Sequence, residues 1–115
     1  MEAASFMKMT TEAAELLSAM GNRRRLLIFL YLLEGEKGVG ALVGKIGISQ
    51  SALSQHLGIL RYHRLVKTRK EKQFVYYSLS DEKVIAVIKT LDEIYENTPV
   101  LTVPEGAIKL SNPRV

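Results

Sequence analysis

The chain has 115 residues, 47% of them apolar, which suits one domain with a modest core. It has no cysteine, which excludes disulfides, thiolate metal sites and thiol redox switches. Its net charge of +4 is segregated: the 34 positions from Lys37 to Lys70 hold no Asp or Glu, where average density would place about 3.5, and they carry seven cations. A surface that meets a polyanion explains such a gap better than a solvated basic face does. Met1 to Thr10 has no basic head followed by an apolar run, so no signal peptide is expected. The longest apolar run, Leu26 to Leu33, is far short of the roughly 18 residues of a membrane span. The expected compartment is the cytoplasm, with no membrane partner.

In chain order, residues 1–9 are expected to be a flexible lead. Thr10 or Thr11 is placed to cap a first helix whose apolar face is Ala13, Leu16, Leu17 and Met20, and Gly21 ends it. Asn22 caps a second helix that opens with Arg23, Arg24 and Arg25. Its run LLIFLYLL is apolar on all sides, which suits a buried helix, with a buried strand as the competing assignment. Gly35 is placed to stop it. A third helix is predicted over about Val39–Ile46, with Leu42, Val43 and Ile46 inward. Gly47 follows as the turn, and Ser49 caps a fourth helix over 49–63. Leu53, Leu57 and Leu60 form its buried stripe, so Gln50, Ser51, Ser54, Gln55 and Gly58 face elsewhere. That outer face is small and uncharged. It can donate and accept hydrogen bonds without repelling a polyanion. Two helices joined by a short glycine turn are a helix-turn-helix.

After Leu65 the residues become β-branched and aromatic. LVKTR and QFVYYSL predict a two-stranded hairpin over 66–79, with Lys70–Lys72 at its tip. Such a hairpin is unstable alone and must lean on the helices as a wing. Asp81 caps a fifth helix with a wide apolar face: Val84, Ile85, Val87, Ile88, Leu91, Ile94 and Tyr95. Residues 97–115 hold all three prolines and are expected to be extended or disordered. The fold class is therefore mainly α with a small β-hairpin: five helices and a wing, with the working domain at 10–96.

The phrases AMGNRRRLLIFLYLLEGE and VGALVGKIGISQSALSQHLGILRYHRLVKTRKEKQFVYYSL, with the closing helix, resemble the ArsR/SmtB family of winged-helix repressors. The resemblance covers about Glu12 to Glu96. It is closest to the branch of nodulation and virulence regulators and sulfide-responsive repressors. It implies a homodimer with double-stranded DNA as partner. The first and fifth helices would form the interface, through Leu16, Leu17, Met20, Val84, Ile88, Leu91, Ile94 and Tyr95. The breadth of the fifth helix's apolar face agrees, since so large a face is not left open. Two recognition helices would enter successive major grooves of a pseudo-palindromic operator, about 34 Å apart. Gln50, Ser51, Ser54 and Gln55 would meet base edges, while Ser49 and the helix start suit a phosphate. Arg61, Arg64, Lys67, Arg69, Lys70 and Lys72 would neutralise phosphates or reach a minor groove. His56 either touches DNA or packs against the third helix. Arg25 matches the family's second-helix arginine, as a structural cation or a DNA contact.

Family members that sense metals or sulfide use thiolates, or histidines on the fifth helix; this chain has neither. His56 and His63 are too few donors for a transition-metal site, so no metal and no cofactor is expected. An unknown small-molecule effector is compatible with the sequence. One alternative is a metal- or small-ligand-responsive derepressor with non-cysteine ligands. Another, of a different class, is a winged helix used only for protein association. RNA binding would need exposed stacking aromatics, and alternation turns one of Tyr76 and Tyr77 inward. No nucleophile–base pair or phosphate loop supports an enzyme.

Overall fold

The computed structural model describes residues 2–96. The elements are α1 (Ala3–Met20), α2 (Arg23–Leu32), β1 (Lys37–Gly38), α3 (Val39–Ile46), α4 (Gln50–Tyr62), β2 (Val66–Glu71), β3 (Phe74–Leu79) and α5 (Glu82–Ile94). This is a mainly helical winged helix-turn-helix. The tail expected at 97–115 lies outside the described residues.

Three caps fall where the sequence places them. The Asn22 side chain accepts from the backbone N–H groups of Arg24 and Arg25, Ser49 from Ala52, and Asp81 from Lys83. The run LLIFLYLL is helical, with Ile28, Phe29 and Leu32 buried. Gly47 takes the left-handed conformation (φ 76°, ψ 37°) that lets α3 end and α4 begin three residues later. Leu53, Leu57 and Leu60 of α4 reach the core, beside Phe29, Leu42 and Val84. This stripe holds the outer face of the helix-turn-helix away from the protein.

The beginning of the chain differs from expectation. α1 starts at Ala3, so residues 3–9 are its first two turns rather than a flexible lead. Thr10 and Thr11 do not cap it. Their hydroxyls donate to the carbonyls of Phe6 (2.8 Å) and Met7 (3.1 Å), one turn back, which is how threonine fits inside a helix.

The wing is a three-stranded antiparallel sheet in the order β1-β3-β2. Gly38 pairs with Tyr76 and Lys37 with Tyr77, which ties the hairpin to the start of α3. The tip also lies further along than expected. Glu71 pairs with Phe74, so the turn is Lys72–Gln73 and Lys70 belongs to β2. Val66 and Tyr77 are buried, and their alternate neighbours Lys67, Arg69 and Tyr76 share the opposite face.

Candidate nucleic-acid interface

The outer face of α4 follows from helical spacing. Opposite the buried stripe run Ser51, Gln55, Gly58 and Tyr62, at i, i+4, i+7 and i+11. All four are exposed, Tyr62 at 82%. Gln50, Ser54 and Arg61 flank this line and are also exposed. Among the described residues, the Gln50, Ser54, Gln55 and Arg61 side chains form no hydrogen bond or salt bridge, so their polar groups are available. Ser49 lies beside the line with its Oγ 3.4 Å from that of Ser51; it caps α4 by accepting from the Ala52 N–H, and Ser49, Gln50 and Ser51 are exposed. Tyr62 is not among the residues that the sequence singles out, although the i+7 step from Gln55 reaches it.

His56 is turned away from this line. The Arg25 Nε–H donates to His56 Nδ1 at 3.2 Å, and the same guanidinium donates through Nη1 to the Ala19 carbonyl at 3.2 Å. The ring therefore carries its proton on Nε2. Burial, and then the positive charges of Arg25 and Arg24, hold the imidazole below its ordinary range. Arg24 donates to the Ile46 carbonyl at the end of α3 (3.4 Å). These two arginines thus tie α2 to the ends of α1 and α3 and to the middle of α4. His56 accepts from Arg25 of the second helix, a partner that the sequence reading, which weighed DNA against the third helix, did not include.

The cations of the basic span fall into two groups. Lys37 pairs with Glu34 (3.2 Å), and Lys45 lies over the Tyr31 ring at 5.4 Å. Arg69 is the most engaged. Its guanidinium makes a two-point bond to Glu36 (2.7 and 3.0 Å), reaches Glu71 at 3.4 Å, and sits 4.8 Å over the Tyr76 ring. The Arg69 hydrogen bonds hold the Glu36 carboxyl below its usual range and push the guanidinium pKa further up. The acids just outside the acid-free span fold back onto it, so Arg69 is braced within the wing. Arg61, Arg64, Lys67, Lys70 and Lys72 make no salt bridge among the described residues. They are exposed around α4 and along the hairpin.

Two of these free cations occupy left-handed backbone positions: Arg64 (φ 60°) and Lys72 (φ 57°). Arg64 ends α4, with its own N–H bonded to the Arg61 carbonyl and the Leu65 N–H to that of Leu60. Glycine is usual at such a site. Lys72 is the first residue of a two-residue hairpin turn, another position that favours glycine.

The residues expected at a dimer interface also divide. Met20, Val84 and Ile88 are buried in the chain's own core, so they offer nothing to a second copy. Leu16 and Leu91 are half-buried, whereas Leu17, Ile94 and Tyr95 are 56%, 63% and 54% exposed. Phe6, Met7 and Met9 on α1 extend this exposed apolar set. His63 lines a separate cleft with Glu12, Glu15, Leu16, Leu65, Asp81 and Lys83. Its three carboxylates would repel phosphates. Among the described residues, no cluster of three or more His, Cys, Asp or Glu could hold a metal ion.

The model of the family described as "Bacterial regulatory protein, arsR family" matches residues 22–68, from the Asn22 cap into the wing. Nodulation protein NolR of Rhizobium meliloti is 52% identical over 83 residues, 72% of this chain and 68% of that protein. The transcriptional activator HlyU of Vibrio cholerae is 50% identical over 88 residues, 76% of this chain and 82% of that protein. The crystal structure of the transcriptional repressor BigR from Xylella fastidiosa superposes with a TM-score of 0.75 at 36% identity, covering 83% of this chain and 97% of that one. The chain belongs to the ArsR family of bacterial DNA-binding transcriptional regulators, and it is not an enzyme.

Proposed function

We propose that the chain is a homodimeric repressor that reads a pseudo-palindromic operator through α4 and anchors itself with the wing. The observation that carries this reading is the uncharged outward line Ser51–Gln55–Gly58–Tyr62 beside Arg61, Arg64, Lys67, Lys70 and Lys72, which make no salt bridge among the described residues. Glutamine pairs bidentately with adenine and serine with either base type, so Gln50, Ser51, Ser54 and Gln55 are the base readers. The free cations hold phosphates, and Ser49 with the α4 N-terminus holds one more. His56 and Arg69 act indirectly, by seating α4 and bracing the wing.

The exposed apolar residues of α1 and α5 support the dimer, since leaving Phe6, Leu17, Ile94 and Tyr95 in water is costly. A dimer places two copies of α4 about 34 Å apart, one turn of B-DNA. Sedimentation is expected to give twice the chain mass of 12.9 kDa. The name of BigR supports repression and that of HlyU supports activation. A binding site found to overlap the promoter it controls would favour the first, by excluding polymerase. With no cysteine, any signal enters through a ligand other than a thiol reagent.

The test is fluorescence anisotropy at physiological salt, on DNA from upstream of the protein's own gene, with a scrambled competitor of equal length. A preference of about a thousandfold or more establishes a sequence-specific regulator. Steep salt dependence without preference rejects it for that site.

A further inference from the structure

Gly58 is hard to explain from the protein alone. It lies inside α4, on the outward line between Gln55 and Tyr62. Its φ is not positive, so the backbone does not demand glycine. A Cβ there would meet no atom of the described residues within 4 Å, so packing among them does not demand glycine either. Glycine is the poorest helix former after proline, because it loses the most backbone freedom on folding. The helix is thus weakened at a solvent-facing position where alanine would fit without adjustment. A missing side chain lowers the surface, so that a partner can come closer to the helix backbone. Gln55 and the exposed Tyr62 rise on either side, which makes the position a notch.

We propose that Gly58 is the point of closest approach between the recognition helix and the floor of the DNA major groove. The proposal rests on the reading of α4 as the DNA-reading helix and adds a residue that acts by having no side chain. The depth of the notch lets Gln55 reach its base edge while Tyr62 spans toward the groove wall. Gly58 then sets affinity and specificity without making a hydrogen bond.

Gly58→Ala and Gly58→Ser in the full chain separate this role from a passive one, with Gln55→Ala beside them. Each variant is melted in the absence of DNA and titrated against the preferred operator and a scrambled duplex. Gly58→Ala is expected to raise Tm by about 2–6 °C, because it restores helix propensity. It is also expected to weaken operator binding tenfold or more, and scrambled binding by less than threefold. Gly58→Ser should weaken the operator complex at least as much. If Gln55→Ala weakens operator binding and Gly58→Ala does not, α4 still reads DNA but Gly58 is not the approach point. A fall in Tm for Gly58→Ala would show that the fold itself needs the glycine, and would overturn the proposal. If neither variant changes operator binding, the proposal and the assignment of this helix face fall together.

Discussion

On the recognition helix a glycine, Gly58, holds a position that longer side chains would fill more stably. At the wing tip a lysine, Lys72, holds a left-handed position (φ 57°) that glycine would fill more stably. Arg64, at the junction between the two, repeats the wing's choice (φ 60°). Local rules of this kind are broken where another demand outweighs them. The contrast assigns different demands to the two regions. On the reading proposed above, the helix gives up propensity for shape, and the wing and its junction accept strain to place charge. Charge holds a phosphate backbone without reading it, whereas shape and hydrogen bonds read bases.

Both regions stand on one core, so the largest effect comes from removing their support. Leu53→Ala, at a side chain with no exposure, is expected to cost about 2–5 kcal/mol of stability in urea unfolding. Specific and non-specific binding should then fall together. The strained cations sharpen the comparison from the other side. Lys72→Gly is expected to stabilise the fold by about 0.5–1 kcal/mol. It should also lower the magnitude of the salt slope of DNA binding by about one. A destabilised variant with an unchanged slope would show Lys72 to be neither strained nor near a phosphate. Arg69→Ala should leave the slope nearly unchanged, because that cation is already held by Glu36 and Glu71. A drop of one would return Arg69 to the set of phosphate contacts.

The smallest effect concerns how α4 is seated. His56 has a lowered pKa, so the folded chain binds fewer protons than the unfolded chain between its folded value and about 6.5. The stability that goes with the neutral ring, buried first of all and facing the charges of Arg25 and Arg24, is therefore complete above about pH 6.5 and is lost as pH falls through the folded value. His56→Asn keeps an acceptor for Arg25 but cannot titrate. It should flatten the acid side of a stability-against-pH curve measured by urea unfolding from pH 5 to 8. An acid limb identical to that of the unaltered chain would remove His56 as its cause.

Much of this arrangement is written in local sequence. Asn22, Ser49 and Asp81 act as caps because each precedes a periodic run, and Leu53, Leu57 and Leu60 show the buried side of α4 by spacing alone. The hidden parts depend on distance or on brevity. β1 is two residues long, too short for any alternation. Thr10 and Thr11 resemble caps because threonine serves both as a cap and, bonded one turn back, as an interior helix residue. The charged stretch Lys70–Lys72 reads as a loop until Glu71 is seen to pair with Phe74. Arg69 looks free until Glu36, 33 positions away, closes on it. Met20, Val84 and Ile88 read from sequence as surface for a second copy, because an apolar face does not announce which surface will cover it.

The most direct test sets Gln55→Ala against Lys70→Ala, measuring operator and scrambled-DNA affinities across a range of salt. The account predicts that Gln55→Ala lowers the operator-to-scrambled ratio by about tenfold or more and leaves the salt slope unchanged. Lys70→Ala should leave the ratio unchanged and lower the slope's magnitude by about one. Equal losses on both DNAs for both variants would contradict the division between a reading helix and a holding wing.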